Sequence, residues 1–394
     1  MNSIQRRIAA MNKRVETIRG QGMYFYLQPI DKLDGPWVET EGRRMLVFAS
    51  YSYLGLLQHP RINAAAKEAV ERYGTGTHGV RILAGTLDLH NELEETIARF
   101  KGADASIAYS SGYVTNLATV SSLVGRNDYV ICDKLNHASI VDGCLLSRSN
   151  FVRFKHNDMD DLERRLKQAG DAASLVVVDA VFSMDGDVIN LPDVSRLCRE
   201  YGAMLMVDEA HSLGVLGETG KGIEEHFGLE NVIDVKMGTL SKTIPSVGGY
   251  VAGSNELITY LKHIARAFVF SAALPPAQAA AAKVAFEVME EELDLVKKLR
   301  RNVDLFLGGL KERGFDTLDS ETPIVPIICG EDERAFQMTK LCQDEDIFVL
   351  PVVTPAVPAN LARLRANVTA AHSEEDIAYA LDVFERAGKA LGVI

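Results

Sequence analysis

Ala203-Met204-Leu205-Met206-Val207-Asp208-Glu209-Ala210-His211 is an apolar run closed by two acids and, two positions on, a histidine. Such a run is too short for a helix and too continuous for a surface strand. It predicts a strand buried on both faces that delivers polar side chains at its carboxyl end. The same design recurs on either side. Leu175–Asp179 leads to Phe182-Ser183-Met184-Asp185-Gly186, Tyr129–Cys132 to Asn136-His137-Ala138-Ser139, and Asp234–Gly238 to Thr239-Leu240-Ser241-Lys242-Thr243. Further short apolar runs lie at Ser106–Ser110, Phe151–Phe154 and Gly249–Gly253, with helical stretches Asn116–Val124, Asp158–Gln168 and Leu191–Tyr201 between them. Strands alternating with helices predict an α/β fold whose mostly parallel central sheet is sandwiched by helices. Ligands of such sheets bind beyond the carboxyl ends of the strands, so those polar residues are expected to converge on one crevice.

Outward from this middle, the N-terminal region predicts a helix over Ile4–Arg19 that packs on the body or on a partner subunit. A strand at Met45–Ala49 then runs into Ser50-Tyr51-Ser52-Tyr53-Leu54-Gly55, followed by helices over Pro60–Tyr73 and Leu87–Phe100 separated by a glycine-rich connection, 74–79. After Pro275-Pro276 a long helical run, Ala277–Leu310, has no strand-like interruption before Thr322–Cys329. This change predicts three units: an N-terminal helix and arm (1–45), a large ligand-binding domain (46–285) and a C-terminal α+β domain (286–394).

The chain has 394 residues and a formal net charge of -12, which gives no bulk attraction to nucleic acid or anionic lipid. An anionic ligand would have to be held by a local site. The five cysteines (Cys132, Cys144, Cys198, Cys329, Cys342) form no C-x-x-C pair and read as small buried hydrophobes of a reducing compartment. No apolar run approaches the roughly 20 residues that span a bilayer, and the first 20 residues lack the apolar core of a signal peptide. The expectation is a cytoplasmic chain. Gly217-Glu218-Thr219-Gly220-Lys221-Gly222 faintly suggests a phosphate loop, but Gly222 stands where Ser or Thr is needed, and a solvent-facing turn is the better reading.

The strand-end residues match what pyridoxal phosphate (PLP) requires. That cofactor needs a lysine for a Schiff base, a carboxylate to keep its pyridine nitrogen protonated, a flat partner for its ring and donors for its phosphate. Lys242 suits the first role and Asp208 the second. His137 is placed to stack on the ring and His211 to bond its hydroxyl. The N–H groups of Gly112 and Tyr113, opening a helix after Ser106–Ser110, would cradle the phosphate with Thr239 and Ser241.

These residues resemble the α-oxoamine synthases, a PLP-dependent transferase family of fold type I. The resemblance runs from Ser50-Tyr51-Ser52-Tyr53-Leu54-Gly55 almost to the final residue. It is carried by Asn136-His137-Ala138-Ser139-Ile140, Val207-Asp208-Glu209-Ala210-His211-Ser212, Gly238-Thr239-Leu240-Ser241-Lys242, and Arg363-Leu364-Arg365 with Ala370-Ala371-His372. It implies a decarboxylating condensation of a small amino acid with an acyl thioester, giving an α-amino ketone. The donor would be an acyl-CoA or an acyl carrier protein. It further implies that Lys242 moves protons at the substrate α-carbon and His137 assists acid chemistry. Ser183 joins His211 at the ring hydroxyl, Arg365 clamps the amino-acid carboxylate, and Ser271 reaches the phosphate in the neighbouring subunit of a homodimer with shared sites. Two stretches, 74–79 and 271–276, are similar to the serine palmitoyltransferase branch. Val353 stands where bacterial members of that branch carry arginine, and Ser52 where many relatives carry a substrate-contacting Asn. Ser52 and the small Ala84 together are expected to make room for a side chain larger than glycine's. Competing readings are another fold-type-I reaction, such as transamination, and a non-catalytic partner subunit. The carboxylate clamp argues against the first, and the presence of Lys242, Asp208 and His137 against the second.

Overall fold

The computed structural model describes residues 2–394. The chain opens with helix α1 (Ser3–Gly20), capped by Asn2 and Gln5. This helix buries none of its residues, and Ile4, Ile8 and Met11 stay exposed. It therefore does not pack on the body of its own chain. A hairpin follows, β1 (Lys32–Asp34) and β2 (Trp37–Thr40), and then β3 (Arg43–Val47), helix α2 (Pro60–Tyr73) and helix α3 (Asp88–Lys101). The hairpin has no counterpart in the expected elements, because its strands are short and β1 is fully exposed.

The central sheet is built from β4 (Ala105–Tyr109), β5 (Tyr129–Asp133), β6 (Asn150–Phe154), β7 (Ser174–Asp179), β8 (Met204–Asp208), β9 (Val235–Thr239) and β10 (Gly249–Gly253), in the order β4-β10-β9-β8-β7-β5-β6. β10 runs antiparallel to both its neighbours while the other pairings are parallel, so the sheet is mostly parallel, as expected. Every residue of β9, and all but the first of β7 and β8, is buried, which is why these runs lack alternation. Helices α4 (Gly112–Leu123), α5 (Ala138–Ser147), α6 (Met159–Ala169), α7 (Leu191–Tyr201) and α8 (Ile223–Phe227) lie in the connections between successive strands. Two separate apolar clusters, led by residues such as Val176 and Val178 on one side and Val177 and Met206 on the other, show that both sheet faces are covered.

Beyond the sheet come α9 (Asn255–Ile264), α10 (Arg266–Val269), α11 (Pro276–Glu291) and α12 (Asp294–Glu312). The long helical run is thus two helices, broken at Glu292-Leu293. The expected boundary near residue 285 falls inside α11, where Ala285 is fully buried. α11 packs against α2 and α3 through its small residues Ala279–Ala282. The rest of the chain forms β11 (Ile324–Gly330), α13 (Asp332–Asp344), β12 (Ile347–Phe348), β13 (Pro351–Val352), β14 (Ala362–Asn367) and α14 (Glu374–Ala390). β11, β14 and β13 make an antiparallel sheet, whereas β12 pairs in parallel with β3. Residues of the N-terminal arm and of the C-terminal part therefore share one sheet. Phe48, stacked on His372 and Phe306 at 4.6 and 5.0 Å, ties them further. Among the described residues, no helix is long and apolar enough to cross a membrane.

Candidate active site

The parallel register sets Asp179 opposite Asp208, and Asp208 opposite Met237, so the ends of β7, β8 and β9 lie at one edge. A cleft of about 260 Å³ opens there, lined by Gly112, Tyr113, His137, Ser183, Asp208, His211, Thr239, Ser241 and Lys242. Nine of the expected site residues thus converge. Ser52, Arg365 and Ser271 do not line this cleft.

Several features position the cleft residues. The side chain of Asn136 donates to the Val177 carbonyl (2.7 Å) and accepts from the Asp179 N–H, which fixes the loop carrying His137. The His137 N–H donates to Asp179 Oδ2 (2.9 Å), and its Nδ1 lies 2.7 Å from Ser139 Oγ. Asp208 accepts from Asn116 Nδ2 (2.7 Å) and from the Ala210 N–H (2.9 Å). Burial, reinforced by the charge of Asp208, pushes the Asp179 carboxyl well up and favours its protonated form. Burial also lowers the pKa of His137.

Lys242 Nζ lies 2.8 Å from His211 Nε2, and His211 Nδ1 lies 2.7 Å from the Tyr53 hydroxyl. Burial and the positive charges of Lys242 and Arg365 hold the His211 pKa far down, so its ring is neutral. An ammonium can only donate, so Nε2 must accept. This assigns the remaining ring proton to Nδ1, which donates to Tyr53. Burial brings the Lys242 pKa down to about 8, with Asp208 holding it up and Arg365 pressing it lower. Among the described residues no carboxylate lies within salt-bridge distance of Lys242. The buried Lys101 and Lys236, by contrast, pair with Glu209 (2.6 Å) and Glu224 (2.7 Å). Lys242 is thus a buried lysine whose amine is not tied up in an ion pair.

The cleft fits PLP on three observations. A Cβ added at Gly112 would stand 2.8 Å from Thr239 Oγ1, so glycine is what lets the amino end of α4 close on the Thr239 and Ser241 hydroxyls, themselves 2.9 Å apart. Backbone donors, hydroxyls and a helix N-terminus together are of the kind that holds a phosphate. Asp208 points a buried carboxylate into the same cleft as Lys242. Asn116 Oδ1 is buried without a partner beside it.

Arg365 reaches the site from β14. It is buried, and its guanidinium lies 4.9 Å from the Tyr51 ring, whose centroid is 5.7 Å from Lys242 Nζ. Nε donates to the Ser183 carbonyl and Nη1 to Asn367, while Nη2 is buried with no partner at hydrogen-bond distance, although the guanidinium lies near enough to the Tyr53 hydroxyl to act on its ionisation. Ser52 faces elsewhere. Segment 50–53 separates two spaces: Tyr51 and Tyr53 meet the His211–Lys242 side, whereas Ser50 and Ser52 line an apolar cavity of about 210 Å³ behind it. Ser52 Oγ is buried there without a partner. Ala84 is exposed and lines neither space, so the expected room at that residue is not part of this cleft. Ser271 is half-buried beside Ala272, which pairs with Val80, outside the cleft of its own chain. The amides of loop 217–222 are occupied: Glu225 accepts from the N–H groups of Thr219 and Lys221, so a carboxylate of the chain sits where a phosphate loop would hold its ligand. Asn116 lines the cleft, and Tyr51 and Tyr53 meet His211 beside it; the sequence reading did not single these out. Alternation along 51–53, and the one-turn spacing of Asn116 from Gly112, are the signals that identify them.

A catalytic-type lysine, an aspartate and two histidines at the carboxyl edge of this sheet define a PLP-dependent enzyme of fold type I. The profile of the family "Aminotransferase class I and II" matches residues 43–384. The chain is 44% identical over 386 residues to 8-amino-7-oxononanoate synthase of Thermoanaerobacter pseudethanolicus, covering 98% of each chain. It is 45% identical over 376 residues to serine palmitoyltransferase of Sphingobacterium spiritivorum, covering 95% of this chain and 94% of the relative. A solved serine palmitoyltransferase from S. paucimobilis, with a bound PLP–myriocin aldimine, superposes over the full length of both chains with a TM-score of 0.96 at 33% identity. The chain belongs to the aminotransferase class I and II family and, within it, to the α-oxoamine synthases.

Proposed function

We propose that this chain condenses a small amino acid with an acyl thioester, releasing the thiol and carbon dioxide and leaving an α-amino ketone. The observation that carries this reading is the unpartnered Nη2 of Arg365, held over the Tyr51 ring that also faces Lys242. A buried guanidinium with a free donor calls for an anion, and the α-carboxylate of an amino acid is of the right size and charge.

Lys242 would hold the cofactor at its aldehyde carbon, and Asp208 would meet the ring nitrogen. His137 would cover the ring, and Ser183 and His211 would lie near its hydroxyl. Gly112, Tyr113, Thr239 and Ser241 would bind the phosphate. Bound PLP supplies a conjugated, protonated ring that withdraws electrons from the substrate α-carbon. The chain's own residues then divide the work. Arg365 fixes the carboxylate and so the orientation of the bonds at the α-carbon. Lys242, whose amine burial already makes less basic, would take the α-proton and return one. Neutral His211 keeps the lysine aimed by accepting from its Nζ. His137 is placed to donate to the acyl oxygen as the new carbon–carbon bond forms and the thiolate leaves.

The chain acts as a homodimer on this reading. Ile82, Leu83, Leu145, Leu146 and Phe270 are exposed between 54% and 79%, which suits a contact with a second copy. Ser271, next to Phe270, would then reach the phosphate of the partner's cofactor. The five free, buried cysteines suit a reducing cytoplasm. The test is a matrix of amino acids against acyl-CoA and acyl-carrier-protein thioesters, with products identified by mass spectrometry. The expected result is a decarboxylated α-amino ketone from at least one pair; amino-group transfer to a keto acid in its place would overturn the reading.

A further inference from the structure

His156 takes no part in the chemistry above, yet both of its ring nitrogens are held near the site. It follows β6, and its ring bridges two carboxylates: Nδ1 lies 3.0 Å from Asp133 Oδ1, and Nε2 lies 2.8 Å from Asp187 Oδ2. The Phe182 ring meets its edge at 4.4 Å. Asp133 is fully buried and also accepts from the Leu135 and Asn157 N–H groups, so that end of the bridge is fixed to the sheet. Burial alone would strip the proton from His156. Its bonds to Asp133 and Asp187 outweigh burial and raise the pKa to about 10, so both ring nitrogens donate at neutral pH.

Asp187 belongs to a small hairpin closed by a Val181–Val188 bridge and by the Phe182 N–H donating to the Asp187 carbonyl at 3.1 Å. Its tip is lodged in the C-terminal sheet. Gly186 has φ +77°, and an added Cβ there would stand 2.0 Å from the Ile324 carbonyl oxygen; Thr322 Oγ1 donates to the Gly186 carbonyl at 2.9 Å. Between clasp and tip, the Ser183 carbonyl accepts from Arg365 Nε, the Met184 carbonyl accepts from Arg363 Nη1 at 3.1 Å, and Asp185 pairs with Arg363. A continuous path of charged and backbone contacts thus joins His156, through Asp187 and the hairpin, to Arg365.

We propose that His156 is a positioning residue for substrate recognition: with Asp133 and Asp187 it clasps the 181–188 hairpin, so that the Ser183 carbonyl holds Arg365 with one donor free for the amino-acid carboxylate. The proposal rests on the reading of Arg365 given above. Because Val181 and Ser183 of the same hairpin also line the cofactor cleft, the role is told from a general structural one by comparing ligands with and without a carboxylate.

The test uses the holoenzyme and two variants, His156→Asn and the nearly isosteric Asp187→Asn, so that poor folding of one leaves the other. Amino acids, and the corresponding primary amines lacking the carboxylate, are titrated while the cofactor absorbance is followed. The expected result is a rise in Kd of at least about 10-fold for the amino acid and of less than about twofold for the amine, the pattern of a weakened buried charge contact. Equal changes for both ligands, or none for either, would overturn the clasp. Arg365→Ala run in parallel separates the two claims. If it discriminates amino acid from amine while the clasp variants do not, the clasp alone fails. If Arg365→Ala itself shows no discrimination, the carboxylate reading fails and the clasp with it.

Discussion

Replacing Arg365 by alanine is expected to raise the amino-acid KM by at least about 30-fold, since truncating one partner of a buried charge pair costs about 2–5 kcal/mol. The effect should fall on the substrate and spare the cofactor. Arg365 comes from β14 and lines no part of the cleft in which Lys242 and Asp208 lie. Its Nε and Nη1 are already committed to Ser183 and Asn367, so Nη2 is what the substrate would find. Lysine at this position should rescue poorly. An ammonium cannot bond Ser183 and Asn367 in the same planar fork while presenting a further donor. Steady-state kinetics of Arg365→Ala and Arg365→Lys, beside the absorbance of the bound cofactor, check this. An unchanged amino-acid KM in both variants would remove Arg365 from the site.

Asp208→Asn is the second large effect, with kcat expected to fall about 10³-fold, the scale seen when a preorganised electrostatic group is removed from a dry site. The carboxamide fits the same space but carries no charge to keep a ring nitrogen protonated. There is a second consequence in the cofactor-free protein. Burial lowers the Lys242 pKa to about 8, and the negative charge of Asp208 is the main influence opposing that fall. Neutralising Asp208 therefore moves the lysine midpoint further down, so the free amine should appear at lower pH than in the parent. Lys242 is more acidic in the folded protein than its ordinary value near 10.4, so the unfolded state binds more protons between those two pKa values and stability rises with pH across that window. Asp208→Asn should extend the window toward lower pH. The pH dependence of cofactor binding to the two proteins measures the shift, and coincident profiles would contradict it.

The sheet and the cofactor cleft were legible in the sequence for one physical reason. A parallel strand buried on both faces is written as an unbroken apolar run, and the chain must turn polar where the strand leaves the core. Val207-Asp208 and Val178-Asp179 mark those exits, and strand register does the rest. Other features are carried by contacts that no local pattern records. The pairing of β12 with β3 joins residues about 300 positions apart. The break at Glu292-Leu293 has neither Pro nor Gly to announce it, and the helical run reads through. Tyr51 and Tyr53 stood inside a quoted motif, but which face of 50–53 meets the site is set by His211 arriving from another strand. His156 looks like any surface histidine until Asp133 and Asp187 are brought to its two nitrogens.

Borohydride reduction of the purified holoenzyme, followed by proteolysis and mass spectrometry of the peptides, bears most directly on the whole account. A phosphopyridoxyl mass found solely on the peptide containing Lys242, and lost in Lys242→Ala, is the predicted outcome. The same adduct on Lys101, Lys236 or any other lysine would contradict it.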